Sequence, residues 1–307
     1  MLRRDFLTAT AGSLAAFHLA AESPSNEGVV DAHSHIWTQD VARYPLAKGQ
    51  PPSVLAPPSF TAEELLALVN PLGVSRVVLI QHKPYHGLDN SYLADAIAAH
   101  RGVFGGVACI EAAAPRPDVE MLRLKSLGFR GFRITPGEGG TDRWSQSEGM
   151  RSMWRCAADH DLAICPLIGA DSLDQIDEMC GRFPRTKVVI DHFARIGGDG
   201  EFREDEISRL ADIARHAETH VKISAFYFLG RKQPPYDGLL PVIRRMRDAF
   251  GASRLMWGSD SPYQLGGGNT YAASLDFARQ GIPFLSDAER RDLLRGTAER
   301  IFFAASH

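Results

Sequence analysis

The sequence predicts a single (β/α)8 TIM barrel of the α/β class. Three observations carry that prediction. Short, continuously apolar runs rich in Val and Ile alternate with helical patterns from residue 29 to residue 302, and continuous rather than every-other hydrophobicity marks strands buried on both faces. The alternation gives roughly eight strand–helix units in one composition regime, the number a parallel barrel requires. No Gly-x-Gly-x-x-Gly follows the first run, which argues against the competing doubly wound sheet.

The first strand is Val29-Val30-Asp31-Ala32-His33-Ser34-His35-Ile36. Strict alternation puts Asp31, His33 and His35 on one face, with Asp31 one pleat earlier. Residues 38–59 are rich in Pro and Gly, lack any period and read as a long loop, which in a compact domain is usually functional. Thr61 caps a helix with Glu63 and Glu64 in its first turn, and Pro71 and Gly73 end it. The second strand covers 76–81, and a helix follows over 91–100. Later apolar runs fall at 103–110, 130–134, 162–168, 187–191, 221–223 and 255–257. Between them lie helical patterns near 118–127, 148–160, 173–183, 205–219, 239–250 and 271–280, and a last helix spans 287–302.

Residues 1–27 read differently. Arg3-Arg4-Asp5-Phe6-Leu7 opens an apolar, alanine-rich run over 8–21, and a polar stretch follows. A charged start, an apolar centre and small residues describe a cleavable export signal. The twin arginine resembles the Tat class, whose cargo crosses the membrane folded. This predicts a leader over 1–27, a barrel over 28–307, contact of the precursor with the Tat machinery, and a periplasmic location. The apolar run is too short for a stable membrane span.

Composition excludes other classes. Of 307 residues, 44% are hydrophobic and 23% charged, as in a globular protein. With 34 basic against 37 acidic residues, no charge surplus draws nucleic acid or an anionic membrane. Cys109, Cys156, Cys165 and Cys180 lack paired short spacing and read as buried small hydrophobes. A small molecule is the expected partner, and the oligomeric state is not encoded in any pattern here.

Chemistry in such a barrel sits at the C-terminal ends of the strands. Here the runs end in His33 and His35, in Gln81-His82-Lys83, in Glu111, in Arg133, in Asp191-His192, in Ser224 and in Ser259-Asp260. Ionisable groups ending apolar runs are costly unless solvated or used, and several on one rim form a site. Asp260 suits a general base, and Arg133 suits either a substrate carboxylate or a structural ion pair. His82 and Tyr85 are candidates for substrate binding, and Tyr44, Trp257 and Tyr263 for the mouth. Asp191, next to His192, is expected on the opposite face as a supporting group, and His160, His216 and His220 are expected at the surface, in helices or at their ends.

These endings resemble the amidohydrolase superfamily, in its amidohydrolase-related branch, from residue 29 to about 302. The likeness rests on Asp31-Ala32-His33-Ser34-His35, Arg130-Gly131-Phe132-Arg133, Val189-Ile190-Asp191-His192 and Leu255-Met256-Trp257-Gly258-Ser259-Asp260, in order. The segment Gln81-His82-Lys83-Pro84-Tyr85-His86-Gly87 is similar to that of the branch's lactonases. The resemblance implies a hydrolase that opens a sugar or dicarboxylate lactone. It implies Asp260, His192, His33 and His35 as catalytic residues, and the same four as ligands of one divalent metal, zinc by its N3O set. The branch also includes enzymes that work without metal. Strand 5 has no histidine: Cys165-Pro166 stand there, which disfavours a two-metal site and the superfamily's zinc-dependent decarboxylases. A non-catalytic binding barrel is the third reading, and the intact rim argues against it.

Overall fold

The computed structural model describes residues 28–140 and 142–303; the predicted leader lies outside them. Eight parallel strands run in the order β1 to β8. They are β1 Val29–Ser34, β2 Val74–Ile80, β3 Phe104–Ala108 and β4 Phe129–Ile134, then β5 Ala163–Pro166, β6 Lys187–Ile190, β7 Thr219–Ser224 and β8 Leu255–Gly258. Helices such as Ala62–Val69, Glu148–Asp159 and Leu240–Phe250 fill the connections. The Thr61 hydroxyl accepts from the Glu64 amide while the Glu64 side chain accepts from the Thr61 amide, so the expected cap is a full capping box.

Two apolar layers hold the barrel. The outer one joins strands to helices through residues such as Leu79, Phe129, Trp154, Ile190 and Trp257. The inner one is built from small or branched residues, Val30, Ala32, Val78, Val107, Ala163, Cys165 and Val189, and is closed below by Ala298, Ile301 and Phe302 of the last helix. Burial pushes the Cys165 thiol up to about 12, so it is a core thiol, as its apolar context suggested.

The β8–β1 seam is stitched differently from the other seven. The Asp260 amide donates to the His33 carbonyl oxygen and the His35 amide to that of Ser261, each at 2.8 Å. Below them the Asp31 carboxylate accepts from the Ser259 amide (2.8 Å), the Ser259 hydroxyl (2.6 Å), the Tyr271 hydroxyl (2.8 Å) and the His33 amide (3.0 Å). Gly258 makes this approach possible, because a Cβ there would lie 2.7 Å from His33 Cβ. Asp31 is thus not on the histidine face. The β1 register against β2 shifts between Asp31 and Ser34, which breaks the alternation and turns Asp31 toward Tyr271.

One further boundary differs from expectation. The helix before β7 stops at Asp212 and a 3-10 turn, Ile213–Arg215, follows. His220 therefore lies buried in β7, not in a surface helix. His160 is exposed at a helix end and His216 is half-buried against Asp177.

Candidate active site

The strand ends deliver His33, His35, His192 and Asp260 to one point. His33 Nε2 lies 3.4 Å and His35 Nε2 3.3 Å from Asp260 Oδ1, and His192 Nε2 lies 3.8 Å from Asp260 Oδ2. Tyr227, which follows β7, donates its hydroxyl to Asp260 Oδ2 at 2.7 Å. Burial and the neighbouring Asp260 charge push the Tyr227 phenol up, so it stays a donor. Burial opposes the Asp260 charge, but the imidazoles of His192, His35 and His33 hold its carboxyl well below the usual carboxylate range. Asp260 is accordingly an ionised carboxylate with one oxygen tied and the other facing the histidines.

Beneath this group lies a buried charge cluster. Asp191 receives Arg133 Nη2 at 2.8 Å and Lys222 Nζ at 3.0 Å, and His33 Nδ1 is 3.4 Å away. Burial disfavours the Asp191 charge, yet Lys222, His33 and Arg133 hold it well below its usual range. Burial, reinforced by Lys222, pulls the His33 imidazole well below its ordinary value, and burial likewise lowers His192. Asp191 is therefore not on the opposite face from His192. After Ile190 the chain enters a left-handed turn, with φ of 53° at His192, so adjacent side chains converge instead of diverging.

Lys222 and Tyr227 are the two residues missed in the sequence. A lone lysine inside Val221-Lys222-Ile223-Ser224 was the available signal for the first, since an inward lysine in a barrel strand needs a buried anion. No local pattern marks Tyr227.

A cavity of about 460 Å³ opens above Asp260 and is lined by His35, His82, Arg133, His192, Tyr227 and Tyr263, among others. His82 is buried, its Nε2 bonded to the Tyr263 hydroxyl, and burial with His35 and Arg133 nearby lowers it to about 2. Arg133 forms the structural ion pair foreseen for it, with Asp191, and also lines the cavity; its Nε has no partner among the described residues. Tyr85 stands behind His82, ring centroids 4.2 Å apart, with its hydroxyl accepting from the Ala56 amide. Tyr44 and Trp257 do not reach the mouth. The first bonds Asp95 and the second is a core residue bonded to Ser274.

The donor set fits one divalent ion. His35 Nδ1 lies 2.8 Å from the Ile80 carbonyl oxygen, a contact that requires a proton on that nitrogen. Its Nε2 faces the Asp260 carboxylate at 3.3 Å, the position from which it would ligate an ion shared with that carboxylate. Ligand atoms of His33, His35 and Asp260 all lie within 4.8 Å of one another. Lys222 Nζ and Arg133 Nη2 stand 3.2 and 3.1 Å from the two nitrogens of His33, so an ion ligated by His33 Nε2 replaces the Arg133 contact.

A parallel barrel whose rim gathers three imidazoles and an ionised carboxylate beneath an open cavity is an enzyme of the amidohydrolase type. Residues 30–304 match the family model described as Amidohydrolase, and the chain belongs to that family. It is 29% identical over 237 residues to an L-fucono-1,5-lactonase of Burkholderia ambifaria, spanning 76% of this chain and 80% of that protein. It is 27% identical over 241 residues to a 4-sulfomuconolactone hydrolase of Rhizobium radiobacter, 77% of this chain and 76% of the other. A solved structure from Acinetobacter baumannii, described as a probable 2-pyrone-4,6-dicarboxylic acid hydrolase with citric acid bound, superposes with a TM-score of 0.74 at 18% identity. It covers 90% of this chain and 99% of its own, and shares the fold.

Proposed function

We propose that the protein hydrolyses a small lactone, with Asp260 as general base. The observation that carries this is the ionised Asp260 in the cavity wall, one oxygen held by Tyr227 and the other facing His33 and His35. The lactonase activities named for the two relatives support it. In this reading Asp260 takes a proton from water as the water oxygen bonds to the lactone carbonyl carbon. The oxyanion that forms is stabilised by the buried cationic edge of Arg133, whose Nε has no partner among the described residues. The ring C–O bond then breaks, and the proton held by Asp260 passes to the departing alkoxide, giving a hydroxy acid. His33, His35, His192 and Asp260 would hold one divalent ion, zinc by its donor set, which would supply Lewis acidity toward the carbonyl.

Export through a Tat-type leader and a periplasmic location belong to the same proposal, on the strength of Arg3-Arg4-Asp5-Phe6-Leu7. The test of the activity is a panel of neutral and carboxylated five- and six-membered lactones, run with wild type and Asp260→Asn and accompanied by metal analysis. Asp260 has φ of 59°, a conformation asparagine tolerates. The variant should keep its fold and lose roughly 10²- to 10⁴-fold in kcat. A fully active Asp260→Asn, or a wild type inert toward every lactone, would sink the reading.

A further inference from the structure

We infer that Tyr263 is a catalytic residue, whose hydroxyl donates a hydrogen bond to the lactone carbonyl oxygen because His82 leaves its proton unspent. This rests on the lactone-hydrolase reading of the site and deepens it, by adding a second donor beside Arg133 where negative charge develops.

The first observation is how His82 satisfies its hydrogen bonds. The ring is buried and stands between the rings of Trp37 and Tyr85, with centroids 5.1 and 4.2 Å away. Its Nε2 meets the Tyr263 hydroxyl, whereas its buried Nδ1 has no partner among the described residues. Burial holds this imidazole well below its ordinary value, so it carries one proton, on one nitrogen or the other. A proton on Nδ1 would be a buried N–H without an acceptor, which is rare and costly. A proton on Nε2 is instead donated to the Tyr263 oxygen. That oxygen then accepts from His82, and its own proton is left for another partner.

The second observation is where that proton can go. Tyr263 and His82 both line the cavity that Asp260, Tyr227 and Arg133 share. The Tyr227 and Tyr263 rings stand nearly parallel, 6.5 Å apart with 20° between their planes. Tyr227 spends its proton on Asp260 Oδ2, while the Tyr263 hydroxyl has no partner but His82 among the described residues. The chain on either side of Tyr263 is fixed. The Ser261 carbonyl oxygen accepts from the His35 amide at 2.8 Å, and the fully buried Gln264 donates to the Tyr236 hydroxyl at 2.8 Å. A donor fixed in advance beside a developing oxyanion needs no reorganisation as the charge forms, and there it contributes most. The contact stays a hydrogen bond throughout. Tyr263 keeps its proton, and the proton that Asp260 takes from water is the one returned to the alkoxide.

The test uses the purified full chain, its histidines labelled with nitrogen-15. Two-bond proton–nitrogen correlation reads which ring nitrogen of His82 carries the proton, and the spectrum of His82→Gln identifies the signals. Nε2 should be protonated and Nδ1 bare. A proton on Nδ1 means that the Tyr263 hydroxyl is spent on Nε2, and that overturns the inference. Kinetics follow, on whichever lactone wild type cleaves fastest. Tyr263→Phe keeps the ring and should lower kcat by roughly 100-fold with KM unchanged. A loss confined to KM, or no loss, makes Tyr263 a wall of the cavity only, which overturns the inference and leaves the hydrolase reading standing. If wild type cleaves no lactone, the hydrolase reading falls, and the spectrum alone decides the donor. Protonated Nε2 then upholds a free Tyr263 hydroxyl in the cavity, and protonated Nδ1 removes it.

Discussion

Asp191 carries its charge with no exposure to water because Arg133, Lys222 and the His33 ring surround it. Such a cluster is stable as a set, since removing one partner strands the others at a cost of about 3–5 kcal/mol. His220, two residues below Lys222 in β7, has no such partner. Its Nδ1 sits 3.1 Å from the Glu218 carbonyl oxygen. Burial, with the Arg254 and Lys187 cations nearby, lowers it to about 4, against the favourable backbone contacts of Glu218 and Val188. The folded value lies below the unfolded one of about 6.5. Above that pH both states are neutral and nothing is gained or lost. As pH falls from about 6.5 to about 4, the unfolded chain takes the proton first, and stability drops by up to about 3 kcal/mol. In urea titrations at pH 7 and pH 4.5, His220→Gln should lose less stability across that interval than wild type. An identical loss in both proteins would show that the burial of His220 contributes nothing to acid sensitivity.

At the scale of elements, the β8–β1 seam decides where the catalytic groups stand. His33, His35 and Asp260 all exit from strands that Asp31 joins, and four donors converge on its two oxygens. Burial pushes the Asp31 carboxyl up, and the Ser259, His33 and Tyr271 donors oppose that. Asp31→Ala leaves those donors buried without an acceptor, at about 3 kcal/mol or more, or roughly 10 °C in Tm for a chain of this size. Calorimetry should show that drop with activity falling in parallel, and an unshifted Tm would mean that backbone pairing alone closes the barrel. The eight strands were legible because continuous apolar runs have no other stable home than a two-sided parallel sheet. His33, His35, His192 and Asp260 were legible because each ends such a run. Asp31 and Asp191 were misplaced by one simple rule, every-other alternation, which fails wherever a register shift or a left-handed turn intervenes. Lys222 escaped notice because a single charge within a run carries no period.

At the scale of the whole molecule, one domain of the predicted class accounts for residues 28–140 and 142–303. Among the described residues no helix is long and apolar enough to cross a membrane. The proposed route through the Tat machinery makes a direct prediction. Replacing Arg3 and Arg4 together by Lys should leave the protein in the cytoplasmic fraction, where wild type is recovered from the periplasm. Unimpaired export of the double variant, followed by immunoblot of the two fractions, would remove the proposal.

The inner layer has a consequence in time as well as in space. Ala298, Ile301 and Phe302 form the floor on which Val30, Val78, Val107 and Val189 rest, yet the ribosome delivers them after all eight strands. Until they emerge, the nascent barrel is a tube without a base, its apolar bore open to water and to any holdase that binds it. The helix that carries them is therefore a stopper: its arrival after β8 seals the bore.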